Sequence, residues 1–393
     1  MIDKLTSLLK AKSFRLLVIT LMLVGFFFLS CGQNSIFFDI SNEPEPKDPI
    51  IPGSPTNLVV VRNRLFVGNR MGNKIYSYGY NGNTGALEWS SLPLPLGSLG
   101  DLATDGTDLF VLSFPSKDPL KSSMVRRYNV SANSWDTTLV LGAYLIQTLH
   151  GVNGRIFAGA QHYSNYQDFA IMYYQHSSNS FAVIKNGTTL LKGAAENSSG
   201  RVYLATAGSG MFLFNEGSLD ISEVSGTGGA NFAGLTSVGG VIIGVTADGD
   251  VYSNVTGGFA HVGTGVNYTG AMCLWFDREN LFRPSLLLMG IRGKGTSYAH
   301  GYREMVLNNG LPTYEIKTPG NGSPTSVRSK AKYEASIGTH AVESILQLPD
   351  ATSGGPLYYR DFAGDPQWEP PIFASTSKSG LWSYRNGEWN AED

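Results

Sequence analysis

Residues Leu99–Leu141, LGDLATDGTDLFVLSFPSKDPLKSSMVRRYNVSANSWDTTLVL, divide into four short apolar runs separated by turn-forming clusters, and the same four-beat pattern recurs along most of the chain. Asp101–Ala103 reads as a first strand, ended by Asp105-Gly106, a residue pair suited to positive φ. Asp108–Phe114 is nearly all apolar, the mark of a strand buried on both faces. Met124–Val130 alternates, and Ser134–Leu141, with Trp135 near its start, supplies a fourth strand at the outer edge. Four antiparallel strands in ~43 residues is the length of one propeller blade.

Six more such repeats can be laid along the sequence, beginning at Leu58, Ile146, Gly193, Phe232, Met272 and Val342. Seven blades over residues 58–393 average about 48 residues, inside the range of known propeller repeats. The sequence therefore predicts an all-β chain, a β-propeller of seven four-stranded blades. Composition agrees: 47 glycines and only 15% charged residues favour many short strands over amphipathic helices, which need charged outer faces. Ser329–Gln347 is the exception, a stretch with room for one short helix before the last blade.

Residues 1–31 read as a leader. Lys4, Lys10, Lys12 and Arg15 precede the apolar run Leu16–Leu29, which is short for a membrane span and suited to a signal peptide. The run ends at Leu29-Ser30-Cys31-Gly32. This resembles the bacterial lipoprotein signal, in which the cysteine is acylated and becomes the first mature residue. Phe28 stands where the strict motif has Leu, a position at which spirochaete lipoproteins are looser. The resemblance implies lipid attachment at Cys31 and a lipid-anchored place in a bacterial cell envelope, at the outer membrane or cell surface. Residues 32–57 follow as a proline-rich tether, with Ile36–Ile40 as a stray strand; extended at ~3.1 Å per residue, the tether reaches ~75 Å. Residues 58–393 form the propeller domain. With Cys31 lipidated, Cys273 has no partner for a disulfide, and its apolar setting in Ala271–Phe276 makes it a buried, inert thiol.

Two further resemblances bear on the body and the tether. Tyr128-Asn129-Val130 followed by Trp135 resembles a kelch repeat, in which a Tyr and a Trp pack between blades; Tyr78 with Trp89 and Tyr384 with Trp389 echo it, although the Gly-Gly pair of kelch repeats is missing from most blades. Phe37–Val61, FFDISNEPEPKDPIIPGSPTNLVVV, is similar to treponemal surface lipoproteins, a group that includes fibronectin-binding adhesins. That resemblance implies a protein partner such as a host extracellular-matrix component.

Signatures of chemistry are absent from the sequence. It contains no nucleophile elbow, no H-E-x-x-H, no phosphate loop and no dinucleotide fingerprint. The glycine-rich Ser225–Gly229 reads as a turn, and the histidines at 150, 162, 176, 261, 300 and 340 lack metal-ligand spacing. Asp105 with Asp108, and Asp248 with Asp250, read as hairpin-turn aspartates. No catalytic residue, metal or cofactor is expected. A formal net charge of −2 supplies no general attraction to nucleic acid. The chain is expected to be monomeric.

Strand order alone sorts the loops. In a four-strand meander the second-to-third loops and the blade-to-blade connections emerge at one end, which here carries the longest loops. Arg70, Lys74, Lys117, Lys121, Arg292, Lys294, Arg328, Lys330 and Lys332 fall there, against Asp118, Asp168 and Glu334. With them stand His162, Tyr163, Tyr166, Tyr298 and His300, side chains that suit a protein interface. The predicted partner-binding set is Arg292, Lys294, Tyr298, His300, His162, Tyr163, Tyr166, Lys117 and Lys121. The insertion Pro349–Pro371, with Tyr358, Tyr359 and Trp368, is a rival at the opposite end. A hydrolase or lyase with carboxylates converging in the central pocket, or a periplasmic envelope-assembly scaffold, are the alternatives to a surface adhesin. Replacing Cys31 by Ala is expected to abolish incorporation of radiolabelled palmitate and to release the protein from membranes; continued labelling would exclude the lipoprotein reading.

Overall fold

The computed structural model describes residues 51, 53–70, 72–81, 84, 86–93, 97–115, 122–136, 139, 144–255, 257–264, 267–275, 286–292, 301–309, 311–315, 337, 340–348, 371–385 and 388–392. Their strands form seven four-stranded sheets, each an antiparallel meander in chain order. The first strands of the sheets are Pro55–Val61, Ser98–Thr104, Tyr144–Val152, Leu191–Glu196, Phe232–Val238, Tyr268–Trp275 and Val342–Gln347. Each touches the first strand of the next sheet, and the last touches the first. The sheets therefore stand radially around a central axis as a seven-bladed β-propeller.

Local sequence explains the meanders. Residue pairs that accept positive φ close the first hairpin of several blades: Arg62-Asn63 at 44° and 69°, and Asn153-Gly154 at 41° and 82°. Both pairs have the twist that antiparallel strands need across a two-residue turn. The second strands lie between two neighbouring blades and are apolar on both faces: every residue of Val202–Thr206 and of Leu286–Ile291 is buried. Leu109–Phe114 is buried up to its last residue.

The apolar cores lie between blades. Seven clusters of buried side chains correspond to the seven junctions. The predicted Tyr–Trp pairs sit in three of them. Tyr128 and Trp135 have ring centroids 5.0 Å apart and pack with Val59 and Phe66 of blade 1. Tyr78 and Trp89, 5.1 Å apart, meet Phe373 of blade 7. Tyr384 and Trp389, 5.6 Å apart, meet Tyr302 of blade 6.

Two local expectations change. The fourth strand of blade 2 is only Ser134–Trp135, with a further isolated bridge from Leu139 to Val125. Pairing goes on past Trp135, since the Asp136 amide donates to the Arg127 carbonyl at 2.8 Å, and it slips by one residue before the bridge at Leu139; the Asp136 carboxylate binds the Arg127 guanidinium. The body also starts before Leu58: Ile51 is fully buried against blade 7, and the first strand begins at Pro55. Of the Ser329–Gln347 stretch, Val342–Gln347 is the expected first strand of blade 7, and residues 329–336, 338 and 339 lie outside the described residues. Cys31, Ile36–Ile40 and residues 349–370 of the rival insertion, Tyr358, Tyr359 and Trp368 among them, lie outside the described residues.

The ring closes without an exchanged strand, since the four strands of blade 7 follow one another at the end of the sequence. Two clusters of polar contacts flank the seam, in addition to the core between blades 1 and 7. On one side, Gly380 and Leu381 donate their amides to the carbonyls of Gly53 at 2.9 Å and Ile51 at 3.2 Å. On the other, the buried Glu392 carboxylate accepts the Trp89 indole N–H at 2.8 Å, the Arg385 guanidinium at 2.8 Å and the Ser383 hydroxyl. Arg385 in turn lies over the Tyr78 and Phe373 rings. Glu392→Ala strips three donors of their acceptor and is expected to cost about 3 kcal/mol in urea denaturation. Glu392→Gln, which keeps an acceptor for Trp89, is expected to cost clearly less.

Candidate functional site

Seven first strands meeting around an axis leave a channel, and their edges fix what lines it. Each of them is bulged near its start, at residues between Pro55 and Leu58, Leu99 and Asp101, Ile146 and Thr148, Leu191 and Gly193, Phe232 and Gly234, Tyr268 and Met272, and Val342 and Ser344. A bulge bends and twists its strand. Here it turns a side chain towards the next blade. Asn57 accepts the Leu102 amide at 2.9 Å. Asp101 accepts the Leu149 amide at 3.0 Å, and Ser344 accepts that of Leu58 at 3.0 Å. Thr148 and Thr269 instead donate their hydroxyls to the carbonyls of Leu191 at 2.9 Å and Val342 at 2.5 Å.

Five of the seven junctions are stitched in this way, and glycines occupy the other two. A Cβ added at Gly193 would stand 2.7 Å from the Leu235 nitrogen, and one at Gly234 would stand 2.5 Å from the Gly270 oxygen. At these two junctions the backbones themselves are in contact, which only glycine permits.

The channel widens into a cavity of about 690 Å³ lined by residues of all seven first strands together with Arg70, Arg292 and Ser377. Those three follow the second strands of blades 1, 6 and 7, so the cavity opens at the end that carries the second-to-third loops. Its ionisable residues are Arg70, Asp101, His150, Lys192, Arg292 and Glu343. Arg292 and Glu343 form an ion pair at 2.7 Å. Burial pushes the Asp101 carboxyl up to about 6, opposed by the Leu149 amide, Arg70, the Leu102 amide and Lys192. Burial pushes His150 down to about 4; the Leu191 carbonyl, 3.3 Å from its Nε2, opposes this and Lys192 reinforces it.

At the same end, the second and third strands of blade 3, Arg155–His162 and Asn165–Gln175, form a hairpin tipped by Tyr163 and Ser164. Pairing jumps from Gln161↔Phe169 to His162↔Asn165, which leaves Tyr166–Asp168 as a wide bulge. The Gln161 amide holds the bulge by donating to the Tyr166 carbonyl. The His162 ring stacks on Tyr163 at 5.4 Å and meets the edge of Tyr144 at 5.2 Å. Tyr163 is 57% and Tyr166 53% exposed, against 38% for Val183, the other large hydrophobic exposed among the described residues.

The predicted partner-binding residues thus separate. His162, Tyr163 and Tyr166 come together on the hairpin, whereas Arg292 stands at the cavity and is already paired. Lys294, Tyr298, His300, Lys117 and Lys121 lie outside the described residues. Asp105 is a turn cap, accepting the amides of Thr107 and Asp108 at 2.8 Å each. Among the described residues no group of three His, Cys, Asp or Glu side chains is placed to hold a metal ion. Burial pushes the Cys273 thiol up to about 12, and its sulfur accepts the Gln347 amide at 3.0 Å. Sequence reasoning missed the cavity residues Asp101, His150, Lys192 and Glu343. Asp101 alone of these shares a sequence signal, a polar residue just before an apolar one near a first-strand start, as in Asn57-Leu58, Asp101-Leu102, Thr148-Leu149 and Ser344-Ile345.

Compared with known proteins, the sequence matches no family model and no curated relative.

Asp101 and His150 act on stability in opposite senses. A carboxyl whose folded value is raised contributes stability below its unfolded value, near 3.8, that is lost as pH rises through about 6. A histidine whose folded value is depressed contributes stability above 6.5 that is lost as pH falls through about 4. Asp101→Asn keeps an acceptor for the Leu149 amide, as Asn57 does for Leu102, and removes only the first contribution. Its melting temperature is expected to fall more steeply than the wild type's on acidification from pH 6.5 to 4, and parallel curves would exclude this balance.

Proposed function

We propose that this chain is an exported lipoprotein, anchored through Cys31, whose propeller binds a protein partner with the long-loop end. A host extracellular-matrix protein is the first candidate. The observation that carries the reading is the blade 3 hairpin. Tyr163 and Tyr166 are the large hydrophobics that stand more than half exposed among the described residues. Tyrosine gives an interface a large rigid contact area and a hydrogen-bonding tip, and the two side chains flank the His162↔Asn165 pair, with the Tyr166 carbonyl held by Gln161. The exposed cations Arg70 and Lys74 belong to the same end and add electrostatic attraction, which salt screens beyond ~8 Å at physiological ionic strength.

A hydrolase or lyase reading draws on Asp101 and Glu343, the two carboxylates that line the cavity. Both are committed to other work, Asp101 to the amides of Leu102 and Leu149 and Glu343 to Arg292. Neither is placed as an unengaged acid or base, so binding is the better-supported function.

The test is the double variant Tyr163→Ser, Tyr166→Ser in surface plasmon resonance against matrix proteins. Affinity for the cognate partner is expected to fall at least tenfold with the melting temperature unchanged. Association by the wild type is expected to slow as salt rises. Retention of every wild-type affinity by the folded double variant would overturn the reading.

A further inference from the structure

We infer that the mouth of the central channel is a binding site for a small organic anion carrying two or more acidic groups, bridged between Arg70 of blade 1 and Lys192 of blade 4. The inference is independent of the hairpin. At about 690 Å³ the cavity has the size of a small-molecule site. Each of its two carboxylates already has a partner: Asp101 the amides of Leu102 and Leu149, and Glu343 the Arg292 guanidinium. Two of its cations are less engaged. Among the described residues Arg70 spends only its Nε, on the Gly100 carbonyl at 3.3 Å. Lys192, a half-buried residue, has neither a hydrogen-bond nor an ion-pair partner for its ammonium among the described residues.

Lys192 owes its position to a bulge. It is skipped in the ladder between Leu191↔Thr206 and Gly193↔Ala205, at the point where other first strands carry Gly100, Gln147, Ala233 and Glu343. No stitching between blades requires a lysine there, because the adjacent Gly193 makes that junction. Removing a cation from water is costly unless an opposite charge meets it. Lys192 acts as a neighbouring positive charge on both Asp101 and His150, and Arg70 does so on Asp101, which places both cations around one space. Blades 1 and 4 stand three steps apart in a ring of seven, on nearly opposite sides of the channel. A ligand that answers both cations therefore spans the mouth with an acidic group at each end.

Isothermal titration calorimetry on the full chain tests this with citrate and pyrophosphate as probes, and with glucose as a neutral control. One probe ion is expected to bind per chain, with the preferred probe distinguishing carboxylate from phosphate chemistry. Lys192→Met is expected to weaken binding at least tenfold, Lys192→Arg less than threefold, and Arg70→Gln at least fivefold. The double variant Tyr163→Ser, Tyr166→Ser is expected to bind the probe as the wild type does, which separates this site from the hairpin. Absence of binding by either probe, or binding that Lys192→Met and Arg70→Gln both leave unchanged, would overturn the inference.

Discussion

The fold depends on contact between the first strands of neighbouring blades. A four-stranded meander has two faces and no second layer of its own, so it buries neither unless another blade lies against each. The ring of first strands meets that demand. Bulges turn Asn57, Asp101, Thr148, Thr269 and Ser344 onto the backbone of the next blade, and Gly193 and Gly234 let the remaining backbones touch. These contacts set the spacing at the axis, and the spacing in turn decides how closely the second strands and the junction cores pack further out. Asp101 shows the cost: a carboxylate is kept at a poorly solvated position, raised to about 6, because its oxygens serve two blades at once.

Much of this was legible in the sequence, for reasons that particular residues make plain. The second strands are covered on both sides, so LFVLSF and LLLMGI are continuous apolar runs that no solvated strand or amphipathic helix would produce. Turn pairs such as Asn153-Gly154 punctuate them at regular intervals. The Tyr–Trp pairs also announced packing between blades. The first strands were harder to bound, because a bulge breaks the two-residue period that marks a strand. Tyr144–Val152 accordingly extends two residues before and three after the expected Ile146–Leu149. Ser134–Leu141 departs from a simple strand for the same reason, because pairing slips by one residue between Tyr128↔Trp135 and the Val125–Leu139 bridge.

The candidate sites divide in the same way. The aromatic hairpin could be read from strand order, because its residues are consecutive and lie at a known end of the meander. The cavity could not, because Arg70, Asp101, Lys192 and Glu343 come from four blades and share no spacing in the chain. What brings them together is the ring, and a ring closes over the whole sequence. Arg292 shows the limit of counting charges: it adds to a basic excess on paper, while in the fold Glu343 neutralises it.

The closure of the ring also has a mechanical consequence. The segment that leads into the first strand lies on blade 7, held by the Gly53 and Ile51 carbonyls and by the Ser54 hydroxyl on Ser377. Tension applied through the preceding chain meets these bonds and the buried Ile51 before it reaches Pro55–Val61. Load thus enters at the seam between the first and last blades and is shared by both. A pull strong enough to strip this segment would free one clasp of the seam while the other, Glu392 on Trp89, still held it shut.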